Sequence, residues 1–248
     1  MGKFLFKDAV VMFDGRDISG ELSAVALDYS ADIPEATAFG DTSKVRLPGV
    51  LDVTANQQGW WDSVSAGDSL DKDLFDDVGA ASSHMSFSPD GGQLGEIAFS
   101  FPTLTGEYTQ GASHGEVFAF GLTVSGTGIL VRGKVMEKSA FGTGVNNGTT
   151  RQVGQVLVAE TAYSIIHATA VAGTNPTLDV VIESAVTDFA TITTRMTHPQ
   201  LTAVGSNRQS VVGAITDTWW RLVLTVGGTD TPSFTVFGMI GIQQTTLP

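Results

Sequence analysis

Apolar residues recur at every second position along most of this chain, and that spacing narrows its possible folds more than any other feature. Ile97, Phe99 and Phe101 fall on one face of an extended segment, with Glu96, Ala98 and Ser100 on the other. Phe118, Phe120, Leu122 and Val124 repeat the pattern. So do Leu178, Val180 and Ile182 against Asp179 and Glu183, and Phe234, Val236 and Ile240 near the end. A period of two puts successive side chains on opposite faces of a strand. Between 22 and 29 both faces are apolar: Leu22, Ala24 and Ala26 on one, Val25, Leu27 and Tyr29 on the other. That predicts a strand covered on both sides. Turn signals separate the runs at Asp14-Gly15, Pro89-Asp90-Gly91-Gly92, Asn146-Asn147-Gly148 and Gly227-Gly228. An all-β fold, sandwich-like or barrel-like, is expected.

One segment departs from this rule. Over 69–78 the apolar positions Leu70, Leu74, Phe75 and Val78 follow helical spacing. Ser69 suits the N-cap, Asp71 and Asp73 suit the positive end of the helix dipole, and Gly79 can stop the helix. The aspartates here lack the D-x-D-x-D-G spacing and distal Glu of a calcium loop, so they read as a solvated helix face. Two stretches, 30–49 and 138–154, read as long irregular excursions. They share Ala38-Phe39-Gly40 with Ala140-Phe141-Gly142, and Arg46, Gly49 and Val53 align with Arg151, Gly154 and Val158. This hints at two β domains of related plan.

Charge draws the same boundary. The net charge is −13. All of it lies in residues 1–126, which hold 6 Lys+Arg and 19 Asp+Glu, whereas 127–248 hold 7 of each. The expected division is therefore 1–126, with the helix and the 30–49 loop, and 127–248, the second β domain. An acidic chain without clustered cations is unsuited to grip phosphates. The opening residues hold no apolar stretch of signal-peptide length, and no run approaches the roughly 20 apolar residues of a membrane span, so cytoplasmic synthesis is expected.

Catalytic chemistry has little to draw on. There is no cysteine, which removes disulfides, thiolate metal sites and cysteine nucleophiles. His84, His114, His167 and His198 have no metal-ligand partner at i+2 or i+4. His167, on an alternating strand beside Tyr163 and Ile165, reads as a satisfied core histidine. No nucleophile elbow, P-loop or dinucleotide fingerprint occurs. No catalytic residue, metal site or cofactor is expected. Trp60-Trp61 and Trp219-Trp220 cannot form sugar-stacking platforms, because neighbours on a strand point to opposite faces. One ring of each pair is expected in the core and the other at a subunit contact.

Two stretches resemble the major tail (tail tube) proteins of long-tailed phages. The first carries Asp17-Ile18-Ser19-Gly20, the loop Thr37 to Thr42 and the strand Leu47 to Val53. The second runs from LVRGKV at 130–135 to the segment that opens with Trp219-Trp220. The resemblance implies a non-enzymatic virion protein made in the infected bacterium. Its rings would stack into the tube through which DNA is ejected, with other tail proteins at the tube ends. It also implies a helix outside, sheets of neighbouring subunits lining the lumen, and a long hairpin loop reaching the next ring. On this chain the loop would be 30–49, with Ala38, Phe39, Gly40, Asp41, Thr42 and Arg46 as inter-ring residues. Strand 50–60 presents Asp52, Thr54, Asn56 and Gln58 on one face, polar and free of cations, as candidates to line the lumen. DNA would pass without specific binding. With both halves read as tube-type domains, three chains are expected to close a pseudo-sixfold ring; six chains, each with one tube domain and one outer domain, are the alternative. A capsid decoration or baseplate protein, or a carbohydrate-binding module, is the competing reading.

Overall fold

The structure is a computed structural model that describes residues 8–61, 70–81, 83–187, 189 and 191–244. The elements in order are β1 (Val10–Phe13), β2 (Arg16–Asp17), β3 (Leu22–Ala31), β4 (Leu51–Trp60), α1 (Leu70–Asp76) and β5 (Ser83–Ser88). Next come β6 (Ile97–Gly111), β7 (Ala119–Gly126), β8 (Val131–Gly142), β9 (Gly144–Asn147) and β10 (Arg151–Gln152). The last are β11 (Glu160–Ala185), β12 (Thr193–Thr197), β13 (Gly205–Val212) and β14 (Trp219–Gln244). The ladders β1·β2, β1·β5, β3·β4, β4·β7, β6·β7, β6·β8, β8·β14, β9·β14, β10·β14 and those of β11 with β12, β13 and β14 are antiparallel. The fold is all-β with one short helix.

Two compact units emerge, and they interleave along the chain where consecutive halves were expected. The larger takes the described residues of 1–20, 84–100 and 131–246; the smaller takes those of 21–83 and 101–130. The expected boundary at 126/127 falls between β7 and β8, whereas the β1–β2 hairpin and β5 pair with each other within the larger unit. The charge partition sharpens. The smaller unit holds 3 Lys+Arg against 14 Asp+Glu, net −11, and the larger 10 against 12, net −2.

The larger unit is built on β11 and β14, which pair from Glu160↔Gln244 to Ala185↔Trp219. Both strands bend where the register shifts between Ala172 and Thr177, opposite Gly227–Ser233. Asn175, Asp230 and Thr231 take positive φ there, as do Gly173 and Gly228. At Gly228 a side chain would also meet the Asn175 carbonyl at 2.8 Å. The corner folds the ladder back on itself. Ala162, Ile166 and Ala168 before the bend share one buried cluster with Leu178, Val180, Ile182, Leu222, Leu224 and Phe234. β13 and β8 flank the first half of the ladder, and β12 and β9 flank the second. The Gly227-Gly228 turn signal therefore marks a bend inside β14, and Asn146-Asn147 lie within β9, where a turn was expected. Trp220 is fully buried, its Nε1 donating to the Gly154 carbonyl at 2.9 Å, while Trp219 is half-buried.

In the smaller unit the strand order is β3-β4-β7, then the Thr103–Gly111 part of β6. Val53, Ala55, Phe120, Leu122 and Val124 are buried on one face. The helix is anchored through Asp71, which accepts from Trp61 Nε1 (2.8 Å), Tyr108 Oη (2.8 Å) and Gln110 Nε2. Leu74 is fully buried, but Phe75 is exposed, against its helical-face expectation. Ser69 lies outside the described residues. Gly79, at φ +83, follows the helix, and its N–H donates to the Thr105 carbonyl.

Two further expectations are corrected. β3 is an edge strand: Val25 and Leu27 are half-buried and Ala24, Ala26 and Tyr29 are exposed, because among the described residues only β4 pairs with it. In β6 the small residues Ala98 and Ser100 face inward while Ile97 is exposed and Phe99 only half-buried. Ser100 Oγ donates to the Met85 carbonyl at 2.6 Å, a close approach to β5 that phenylalanine would not allow.

Candidate functional site

Residues 30–49, expected to be irregular, form a hairpin that prolongs β3 and β4. Backbone bonds climb it as rungs: Asp32 N–H to Val50 O (2.9 Å), Gly49 N–H to Asp32 O (2.9 Å), Leu47 N–H to Pro34 O (3.0 Å) and Ala36 N–H to Val45 O (2.9 Å). Glu35 and Arg46 form an antiparallel bridge midway. Gly49 is required at its rung, since a Cβ would lie 2.4 Å from the Asp32 carbonyl oxygen. At the tip the Ala38 N–H donates to Asp41 Oδ2 (2.8 Å) and the Asp41 N–H returns to Ala38 O (3.2 Å). Gly40 completes the turn at φ +105. The expected contact residues Ala38, Phe39, Gly40, Asp41 and Thr42 occupy this tip, and Arg46 sits in the stem. The rungs satisfy the backbone, so periodic apolar side chains are not needed to hold the segment in shape.

That leaves its apolar side chains in water. Phe39 is fully exposed, and Ile33, Leu47 and Val50 are at least half exposed. An isolated two-stranded hairpin is marginal by itself, and clustered exposed apolar groups mark an interaction surface.

The second feature is the outer face of the smaller unit's sheet. Asp52, Asn56 and Gln58 are exposed and Thr54 is half-buried, while Val53, Ala55 and Gln57 between them are buried. Cross-strand pairing extends this polar face well beyond one strand. Asp28, Thr54 and Ser125 lie in one row; Ala26, Asn56, Thr123 and Glu107 in the next; Ala24, Gln58, Gly121 and Thr109 in a third. Thr123 Oγ1 donates to Asn56 Oδ1 at 3.0 Å. No lysine or arginine stands on these four strands among the described residues. The breadth of the face was missed from sequence because it depends on pairings between segments 26 to 123.

The third feature is a buried polar network in the larger unit. His167, fully buried, accepts from the Gly15 N–H at Nδ1 (3.2 Å) and contacts Ser86 Oγ through Nε2 (2.8 Å). His84 Nδ1 contacts Ser206 Oγ (2.9 Å), which donates to Asp14 Oδ1 (2.8 Å). His198 joins Ser164 Oγ (3.0 Å) to Asn207 Oδ1 (3.1 Å). Burial holds the three imidazoles down, His167 to about 3 and His84 and His198 to about 4. Ser164, His198 and Asn207 have the bonding order of a hydrolytic triad. Ser164, however, is fully buried in mid-strand with no path for a carbonyl carbon to its Oγ. Sequence spacing gave no sign that His84, His167 and His198 gather in one unit. Among the described residues no group of three or more His, Asp or Glu could hold a metal ion, and no helix is long and apolar enough to cross a membrane.

No family model and no curated protein matches the chain. Among solved structures it is similar to a chain from the virion of a native gene transfer agent particle (16% identity, 52% of this chain and 97% of that one, TM-score 0.41). It is similar to a chain of the sheath/tube terminator of the PVC extracellular contractile injection system in its extended state (12% identity, 53% and 97%, TM-score 0.43). It is also similar to a chain of the phage p2 baseplate in its activated conformation (7% identity, 95% and 98%, TM-score 0.35).

Proposed function

We propose that this chain is a non-enzymatic, ring-forming subunit of a phage tail tube, whose rings stack into the conduit for DNA. The observation that carries this reading is the hairpin arm of residues 30–49. It is internally bonded but exposes Ile33, Phe39, Leu47 and Val50, so its apolar surface is stable only against a partner. In the tube the arm reaches the next ring. The sheet face of Asp52, Thr54, Asn56 and Gln58 lines the lumen. Polar groups hold water on that wall, and the lack of cations denies phosphates a place to stick. The resemblance of Asp17–Gly20, Thr37–Thr42 and Leu47–Val53 to tail tube proteins supports the same assignment.

Electron microscopy of the purified chain tests it. Stacked-ring tubes are expected; dispersed particles of one to a few chains at every concentration would refute it.

A further inference from the structure

We propose that the Asp14–Gly15 turn and His167 form an acid-operated latch: protonating His167 lifts the turn off β11 and β13 while the β11–β14 sandwich stays folded. The hydrogen-bond directions fix the ring's state. The Gly15 amide can only donate, so Nδ1 of His167 carries no proton. The single ring proton sits on Nε2 and is given to Ser86 Oγ; Ser86 donates to Ser100 Oγ (2.9 Å), and Ser100 to the Met85 carbonyl (2.6 Å). A proton added at Nδ1 would point one N–H at another.

The surroundings favour relief at the turn. Gly15, at φ +81, packs so closely on β13 that a Cβ would lie 2.3 Å from the Gly205 nitrogen. Phe237 of β14 packs near the ring, with centroids 6.2 Å apart. His167 itself is fully buried in β11, so the turn is the part expected to move. The groups facing the latch favour release once it begins. His84 of β5 lies close enough to oppose a charge on His167, and Arg208 of β13 opposes one on His84. Asp14 brings a carboxylate to the network, reached by His84 through Ser206 and held by its own N–H to the His84 carbonyl (3.0 Å). Burial depresses His167 and His84 below the ordinary imidazole value of 6.5. Such groups stabilise the closed turn fully above pH 6.5, and the contribution is lost as pH falls towards their folded values.

Amide hydrogen exchange on the full chain, followed from pH 7 downward, reads the latch. Protection of the Asp14 and Gly15 amides is expected to fall about tenfold relative to Ile166 and Leu224 by pH about 5.5. His167→Gln keeps an acceptor for Gly15 and a donor for Ser86 without a titrating ring, and it should hold the turn to lower pH. Opening in step with the core, or at the same pH in both proteins, would overturn the proposal. If the variant does not fold, imidazole nitrogen chemical shifts of the natural chain at pH 7 decide. A bare Nδ1 on His167 is required, and a proton there would refute the latch.

Discussion

Glu35 and Arg46 face each other across an antiparallel bridge in the stem of the hairpin arm, and the next rung, Ala36 to Val45, closes at 2.9 Å. The arm beyond that bridge is thus a self-contained turn. Replacing residues 36–45 with Asn-Gly, which suits a two-residue hairpin turn, should leave the fold intact. The thermal midpoint is expected within about 3 °C of the natural chain, because only exposed side chains are removed. Tube formation should be abolished, as sedimentation and microscopy would report. Tubes of normal length would give the arm another role.

Lysine at Thr54 and Asn56 probes the polar face. Both positions tolerate a long side chain, one half-buried and one exposed, so assembly should proceed. Each added cation makes a phosphate contact that must break during passage, so DNA release should slow and recover as salt is raised. Labelling of both lysines from outside an intact, capped tube would place the strand on the wrong wall.

Trp220 and Trp219 separate core from contact. Trp220→Ala empties a fully buried site and strands the Gly154 carbonyl, at a cost of about 3–5 kcal/mol in a denaturant titration. Trp219→Ala should cost under about 1.5 kcal/mol, because its ring is only half-buried.

Asp71 ties α1 to the smaller unit's sheet. Hydrogen bonds from Trp61 and Tyr108 hold its carboxyl below the ordinary 3.8, so its anchoring is complete above that value and fades as pH falls below it. Burial, more than the neighbouring carboxylate, pushes the Tyr108 phenol up to about 12. Asp71→Asn should therefore leave Tyr108 titrating above 10 by ultraviolet absorbance while loosening the helix in near-ultraviolet dichroism. A return of the phenol to 10 would show that the carboxylate dominates.

The alternation of Leu178, Val180, Ile182 and of Phe234, Val236, Ile240 located core strands correctly because each packs one regular face on a single cluster. It misled at β6, where the inward residues Ala98 and Ser100 are small to admit β5, and at β3, where apolar residues sit on an edge. The residue pattern set the arm apart as a distinct segment, but its hairpin form came only from the resemblance to tail tube proteins, since its rungs are backbone bonds that any side chain permits. The matched triplets Ala38-Phe39-Gly40 and Ala140-Phe141-Gly142 occupy different structures. The first is a free tip, and the second lies in β8 paired with Ser233–Thr235. Pairing at long range decided both, and local pattern carries no record of it.

That difference also bears on ring size. The arm, the helix and the polar face all belong to the smaller unit; on the proposed function, one tube-type unit per chain predicts rings of six chains in place of the three expected from the sequence.

A resolved cross-section of tubes assembled from the purified chain tests the whole account most directly. It should show stacked rings of six chains, each arm seated on the next ring, with Asp52, Thr54, Asn56 and Gln58 lining an open lumen. Rings without arm contacts, or a lumen walled by other residues, would contradict it.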